Sequence, residues 1–208
     1  MLFVQGTKRG IAAGMLFLTN FADQAVVLPL TFAVALALVA AGWRRGALAW
    51  VTAILVTLAV ILVGKLVVHA CAGTLLSVSG LRSPSGHTAS AAIAYGGLLA
   101  LLAPQAWRPR LLAVLAAIVA AAVIGGTRLA LGVHTRADVL VGAVVGIAGV
   151  MMLSRLAGER PPGVRLALPL AAAVGVVLLF HGEHLHAEGR IWHLSHLVWP
   201  LTVCLPPG

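Results

Sequence analysis

The chain has 208 residues, of which 61% are hydrophobic and only 9% are charged. This composition lies far outside the range of soluble domains and predicts an integral membrane protein. The formal net charge of +9 is explained by arginines that flank the apolar segments. No basic stripe interleaved with aromatic residues is present, which argues against nucleic-acid binding.

The first twenty residues resemble the start of a signal peptide, because Lys8 and Arg9 precede an apolar stretch from Ile11 to Leu18. No small-residue cleavage site follows at the expected place. We therefore predict that residues 1–23 form an amphipathic helix lying in the membrane interface. A retained signal anchor is the alternative.

Six segments follow that lack charge and are long enough, or nearly so, to cross a membrane. They are residues 24–43, 46–64, 88–107, 111–127, 139–154 and 166–180. Their apolar runs are continuous, whereas transmembrane strands would alternate in polarity. We predict an all-α polytopic membrane bundle of about six transmembrane helices, with one domain over residues 24–180 and a tail over residues 181–208.

The basic residues between these segments separate into two groups when the six helices are threaded alternately. One group should be cytoplasmic by the positive-inside rule, and it consists of Arg44, Arg45, Arg108, Arg110, Arg155, Arg160 and Arg165. The other group consists of Lys65, Arg82, Arg128 and Arg136. Because each residue of the second group lies in or beside a polar cluster, we predict a site on the non-cytoplasmic face.

One polar cluster contains His134 and Asp138, four residues apart. If the fifth span begins near His134, this spacing places both side chains on one helical face. The carboxylate would then fix the tautomer of the imidazole and raise the basicity of its other nitrogen, as a nucleophilic histidine requires. A pair that merely caps the helix is the alternative.

A second polar cluster runs from Pro84 to His87, immediately before an apolar helix. Gly86 lets the backbone approach a ligand, and N–H groups at a helix start attract anions. A phosphate bound there would lie within reach of His87 as general acid. A simple N-cap with an interfacial histidine is the alternative.

These residues carry a resemblance to the type 2 phosphatidic acid phosphatase (PAP2) superfamily of membrane lipid phosphatases. Its second motif, Pro-Ser-Gly-His, is matched in full from Pro84 to His87. Its third motif is matched with correct spacing at Arg128, His134 and Asp138, with Thr127 where the family has serine. The resemblance extends over about residues 24–180.

The resemblance implies a catalytic group of three residues and a set of phosphate ligands. His134 would attack phosphorus to form a phosphohistidine, Asp138 would orient it, and His87 would protonate the leaving group. The phosphoryl oxygens would be held by Lys65, Ser85, Gly86 and Arg128. The resemblance implies neither a metal nor another cofactor.

The first family motif is incomplete in this chain. Lys65 is present at the end of the second span, but Ala72 stands where the family has arginine, and no Arg-Pro follows. Arg82 is our candidate for the missing phosphate ligand, with contact to a lipid headgroup as its alternative role. Arg136 is a further candidate, although its position directs it toward a different face.

Other residues receive simpler interpretations. We assign His69 and Cys71 to interface packing in a loop after Lys65, and a disulfide between Cys71 and Cys204 is permitted but not indicated. Gly142 and Gly146 form a pair suited to close helix packing. We interpret the tail as interfacial, with a metal site as the alternative. Its residues are His181, Glu183, His184, His186, Glu188, Trp192, His193, His196 and Trp199.

We therefore interpret the chain as a lipid phosphatase of a bacterial inner membrane, acting on a lipid phosphomonoester or pyrophosphate at the outer leaflet. Undecaprenyl pyrophosphate, phosphatidic acid, phosphatidylglycerol phosphate and lipid A phosphates are the substrates that the resemblance allows, and transfer to another lipid is allowed as well. The alternative from another class is a non-catalytic protein that binds or transports lipid phosphates. The oligomeric state is not readable from the sequence.

Overall fold

The computed structural model describes residues 2–70, 80–104, 109–185, 189 and 191–194. Within them the regular structure is helical, which confirms the all-α class. The main helices are α1 (Leu2–Asn20), α2 (Gln24–Ala40), α3 (Arg44–Ala70), α4 (Gly86–Leu102), α5 (Pro109–Ala130), α6 (Arg136–Ala157) and α7 (Ala167–Phe180). A π-helical turn over Ala92–Gly96 interrupts α4.

In the part of the chain that the structure describes, four helical stretches are long and apolar enough to cross a membrane. They are Gly10–Ala40, Arg44–His69, Arg110–Ala130 and Arg136–Ala157. The first of them begins within α1, and the shorter apolar helices are α4 and α7. The count of six spans and the interfacial placement of residues 1–23 stay predictions.

The outward faces of these helices are apolar, as lipid contact requires. Leu48 on α3 is 71% exposed and Leu178 on α7 is 77% exposed. The interior is built around Trp50 of α3, which is fully buried and donates its indole N–H to the Thr31 carbonyl at 3.0 Å. The large side chains therefore do not all face inward, since the surrounding solvent is itself apolar.

Helix α4 lies at the centre of the bundle, against α3, α5 and α6. Its close approach to α6 depends on Gly142 and Gly146, as predicted. A Cβ at Gly146 would come within 2.7 Å of the Ala89 carbonyl oxygen, and one at Gly142 would collide with the Ser85 carbonyl oxygen. Small residues at these positions therefore allow the start of α4 to lie directly on α6.

Two arginines mark one end of the bundle. Arg45, at the start of α3, donates to the Leu156 carbonyl at the end of α6 at 2.8 Å. Arg160 donates to the carbonyls of Leu101 and Ala103, at the end of α4, at 3.2 and 3.3 Å. Cations at helix C-termini are favourable because carbonyl groups there lack intrahelical partners. The start of α3 thus lies beside the end of α6, and Arg160, which follows α6, contacts the end of α4; the orientation in the membrane stays a prediction.

Helix α3 is longer than predicted, since it continues to Ala70 instead of ending near residue 64. Lys65 therefore lies inside the helix, and the assignment of His69 to a loop is wrong. The uninterrupted run of helix-compatible residues carries the helix past Lys65, whose charge alone does not end it.

Several residues interpreted from the sequence lie outside the part of the chain that the structure describes. These positions are Cys71, Ala72, Arg108, His186, Glu188, His196, Trp199 and Cys204.

The segment after α7 folds back over the junction between α1 and α2. The His181 ring lies 4.5 Å from that of Phe17 and 4.2 Å from that of Phe21, centroid to centroid. His181 Nε2 is also 3.0 Å from the Phe17 carbonyl oxygen. This contact brings the beginning of the predicted tail, residues 181–185, to the same end of the bundle as Lys65 and His87.

Candidate active site

Asp138 is the residue that joins the two matched motifs. It lies in the first turn of α6 and is 1% exposed. One carboxylate oxygen, Oδ1, accepts the backbone N–H groups of Arg82 and Ser83, both at 2.8 Å. The other, Oδ2, accepts the Thr135 N–H at 2.9 Å and lies 3.4 Å from His134 Nδ1. One buried carboxylate therefore holds the loop before α4 and faces the imidazole.

The pairing of His134 with Asp138 is built by a helix cap and not by a shared helical face. Helix α6 begins at Arg136, so His134 precedes it. Thr135 is the N-cap, and its hydroxyl accepts the Asp138 N–H while Asp138 accepts the Thr135 N–H, which completes a capping box. The expectation that His134 lies on the helix is thus wrong. The capping role and the contact with the imidazole coexist.

The loop before α4 is held against α3. Lys65 is 3% exposed, and its Nζ lies 3.2 Å from Ser83 Oγ. Pro84 is buried, and its ring packs beside Gly64, where an added Cβ would be 3.3 Å from Pro84 Cγ. Lys65 Cε similarly lies near Gly86. The lysine and the Pro-Ser-Gly-His motif therefore come together, as the sequence predicted.

Ser85 has a capping role at the start of α4. It is fully buried, and its Oγ accepts the Thr88 hydroxyl at 2.8 Å and the Thr88 N–H at 3.4 Å. Its own N–H donates to the Asp138 carbonyl at 3.0 Å. The N-cap alternative is therefore realised. Ser85 Oγ is the acceptor in both of these bonds, so neither bond uses the hydrogen of the Ser85 hydroxyl group.

The remaining predicted ligands differ in their placement. Arg128, in the last turn of α5, is partly buried, and its Nη1 lies 3.5 Å from Thr19 Oγ1 of α1. Arg82 is held through its backbone, and the residue is exposed. Arg136 lines an apolar groove between α5 and α6 together with Leu129. Arg128 thus belongs to the cluster, whereas Arg136 faces elsewhere, as expected.

Positive charge converges on His134. Burial of the ring and the nearby charges of Lys65 and Arg128 lower the pKa of His134 below its ordinary value of 6.5, against the opposing effect of Asp138. Only 7% of the His134 side chain is exposed. The imidazole is therefore neutral near pH 7 and surrounded by cations that suit a phosphate.

His87 has a carboxylate partner that the sequence interpretation missed. Its Nε2 lies 3.5 Å from Oδ2 of Asp23, the N-cap residue of α2. Asp23 is the first acidic residue in the chain and stands alone before an apolar span. That isolation is a usable signal, since ionisable residues at span ends commonly mark functional sites.

A cavity of about 220 Å³ opens beside this cluster. Its polar lining includes Asp23, Gln24, Lys65 and His87, and the rest of the wall is apolar. The apolar residues are Leu28, Leu58, Ile61, Leu62, Leu185 and Ile191. A larger cavity of about 500 Å³ lies at the opposite end, near Trp43 and Glu159, and none of the described histidines lines it. The smaller cavity is therefore the one that adjoins the candidate chemistry.

Among the described residues, no three of the types His, Cys, Asp and Glu come together in a way that could hold a metal ion. The tail histidines His181 and His184 instead contact the junction of α1 and α2. The metal-site alternative for the tail therefore has no support from the part of the tail that the structure describes.

Comparison with known protein families agrees with the motifs. The model of the PAP2 superfamily matches residues 69–162, a range that contains both matched motifs but neither Lys65 nor Asp23. No curated protein and no solved structure matches the chain. The family is one of phosphatases and phosphoryl-transfer enzymes acting on lipid-like substrates. Over residues 69–162 the chain is therefore similar to the PAP2 superfamily.

Proposed function

We propose that the protein is a membrane lipid phosphatase that hydrolyses a lipid phosphomonoester or pyrophosphate through a phosphohistidine intermediate. The observation that carries this proposal is the position of Asp138, which binds the loop before α4 and faces His134 at the same time. Binding of an anion would require only the cations. A buried carboxylate that orients a neutral imidazole favours chemistry on the phosphate.

The tautomer of His134 determines which of its two ring nitrogens can act as the nucleophile. When His134 Nδ1–H donates to Asp138, its Nε2 carries a lone pair and can attack phosphorus. The Nδ1 to Oδ2 distance of 3.4 Å is long for a hydrogen bond, and such catalytic contacts commonly tighten when substrate binds. The new bond joins Nε2 to phosphorus while the bond to the leaving oxygen breaks.

Charge in the transition state is stabilised by cations and backbone groups. Lys65 and Arg128 supply positive charge beside His134, and the first N–H groups of α4, at Gly86 and His87, are free of intrahelical acceptors by their position. Ser85 and Arg82 complete the proposed phosphate site. His87 donates its proton to the leaving oxygen and then accepts one from the water that hydrolyses the phosphohistidine.

The cavity supports an amphiphilic substrate. Its polar residues lie beside the proposed phosphate site, whereas its apolar wall is formed by α2, α3 and two residues after α7, Leu185 and Ile191. A headgroup could thus reach His134 while the hydrocarbon chain stays at the membrane side. The arginines at the opposite end of the bundle, such as Arg45 and Arg160, support our proposal that the site faces the non-cytoplasmic side of a bacterial inner membrane.

The test of this function is phosphate release by detergent-purified protein from a panel of lipid phosphates and pyrophosphates. We expect release from at least one class, with a rate that EDTA changes by less than about twofold, because side-chain cations neutralise the phosphate here. Lipid binding without release would instead support the non-catalytic alternative. Recovery of label in a second lipid would indicate a phosphotransferase.

The acid limb of the pH profile should report the charges around His134. Because its pKa is lowered, the neutral nucleophile persists below pH 6.5, and kcat/KM should fall only when the pH drops through that lowered value. Replacing Lys65 by methionine removes one cause of the lowering, so the limb should move to higher pH. Ionisation of the substrate affects the wild-type protein and the Lys65→Met variant equally. If the acid limb of the variant lies at the same pH as that of wild type, the assignment of this limb to His134 is wrong.

A further inference from the structure

Asp23 makes more contacts than a helix cap needs. Its Oδ1 accepts the Ala25 N–H at 2.9 Å, the bond that caps α2, and the Leu185 N–H at 3.0 Å. Its Oδ2 lies 3.5 Å from His87 Nε2 and 3.6 Å from His184 Nδ1. One oxygen thus holds backbone groups, and the other faces two imidazoles.

The Asp23 carboxylate is buried, and a buried charge needs partners. Only 9% of the Asp23 side chain is exposed, compared with 25% for His87 and 47% for His184. A carboxylate at this depth requires hydrogen-bond donors or positive partners. The cap would be satisfied by an uncharged serine or asparagine. The negative charge therefore needs a separate explanation, and His87, the less exposed of the two imidazoles, provides one.

The contacts of Asp23 are similar in kind to those of Asp138. There, one carboxylate oxygen holds the backbone of a loop and the other faces His134. Here, one oxygen holds the backbone at Leu185 and the other faces His87. The two imidazoles assigned to the reaction thus each have a buried carboxylate, supplied by different helices.

We propose that Asp23 is the positioning residue for His87 and holds its imidazole ring through Nε2. This inference rests on the proposed function, in which His87 is the general acid. With Nε2–H directed to Asp23, the Nδ1–H is left for the leaving oxygen. As the bond from phosphorus to that oxygen breaks, the Nδ1 proton moves to it, so an alcohol departs and neutral His87 remains.

The sharpest test uses leaving groups of different acidity. A long-chain alkyl phosphate needs a proton on its leaving oxygen, whereas a phenyl phosphate with the same chain on its ring leaves readily without one. Asp23→Asn keeps an oxygen for the Ala25 and Leu185 N–H groups but removes the charge. We expect kcat/KM, which reports the steps up to departure of the leaving group, to fall about 10- to 100-fold for the alkyl phosphate and by less than about threefold for the phenyl phosphate.

Four further variants separate positioning from folding. His87→Ala should show the same selectivity for leaving groups, and adding Asp23→Asn to it should cause little further loss, because the two residues act as a unit. Asp23→Ser, which keeps a capping hydroxyl, should behave like Asp23→Asn. Glu183→Gln removes a charge from an exposed residue of the same segment and should leave both rates within about twofold of wild type.

The outcomes distinguish this inference from the function on which it rests. If the wild-type protein releases phosphate from neither substrate nor from any lipid of the panel, both proposals are wrong. If the wild-type protein is active and Asp23→Asn slows both substrates equally, or slows neither, the phosphatase function stands and Asp23 is only a cap. A thermal unfolding midpoint of Asp23→Asn close to that of wild type excludes misfolding as the cause of a selective loss.

Discussion

Replacing His134 by alanine is expected to reduce lipid phosphate release by at least about 10⁴-fold, because the variant lacks the nitrogen that forms the bond to phosphorus in the proposed mechanism. Substrate binding should persist, since Lys65 and Arg128 remain. The measurement is single-turnover phosphate release, with lipid binding determined separately. Mixing with radiolabelled substrate should leave a label on the wild-type protein that survives alkali and is lost in acid, as a phosphohistidine would, and no label on the variant.

The matched control is His193→Ala, which removes an exposed histidine from the residues after α7. Its activity should stay within about twofold of wild type. Substantial turnover by His134→Ala, or an acid-stable label on the wild-type protein, would show that another residue is the nucleophile. Loss of lipid binding together with activity would show that His134 contributes to the binding site as well.

Replacing Asp138 by asparagine should damage both catalysis and folding. The carboxylate accepts three backbone N–H groups and faces His134 Nδ1, whereas an amide offers only one oxygen as acceptor. We expect kcat to fall by about 10²- to 10⁴-fold because the tautomer of His134 is no longer held. Each buried N–H left without an acceptor should cost about 1–3 kcal/mol of stability. Kinetics and thermal unfolding in detergent measure the two effects.

Thr135→Ala separates these contributions. It removes the hydroxyl that accepts the Asp138 N–H at 3.1 Å but leaves the carboxylate in place. Loss of such a cap costs about 0.5–2 kcal/mol, so stability should fall with only a small change in kcat. If Asp138→Asn retains kcat within tenfold of wild type, the orienting role of Asp138 is wrong. If it retains stability as well, its hydrogen bonds to the loop before α4 contribute little.

The helical class and the main motif contacts could be predicted because they depend on local information. Continuous apolar runs leave the helix as the structure that satisfies the backbone in lipid. The spacing of His134 and Asp138 favours contact in either a helix or a capping box, so the pairing was correct although its geometry was not. The predicted end of α3 is wrong because the charge of Lys65 interrupts the apolar run of the sequence but does not end the helix.

The candidate residues for the chemistry can be identified without coordinates, because the members of each motif lie within a few positions of one another. How the motifs meet depends on the packing of the chain: Asp138 binds the backbone of Arg82 and Ser83, and Asp23 faces His87. These partners are separated by more than fifty positions, and local spacing does not specify their distance. Packing of the helices specifies it: the glycines of α6 set how closely α4 approaches and hence bring the loop before α4 onto Asp138, and the position of α2 beside α4 brings Asp23 to His87.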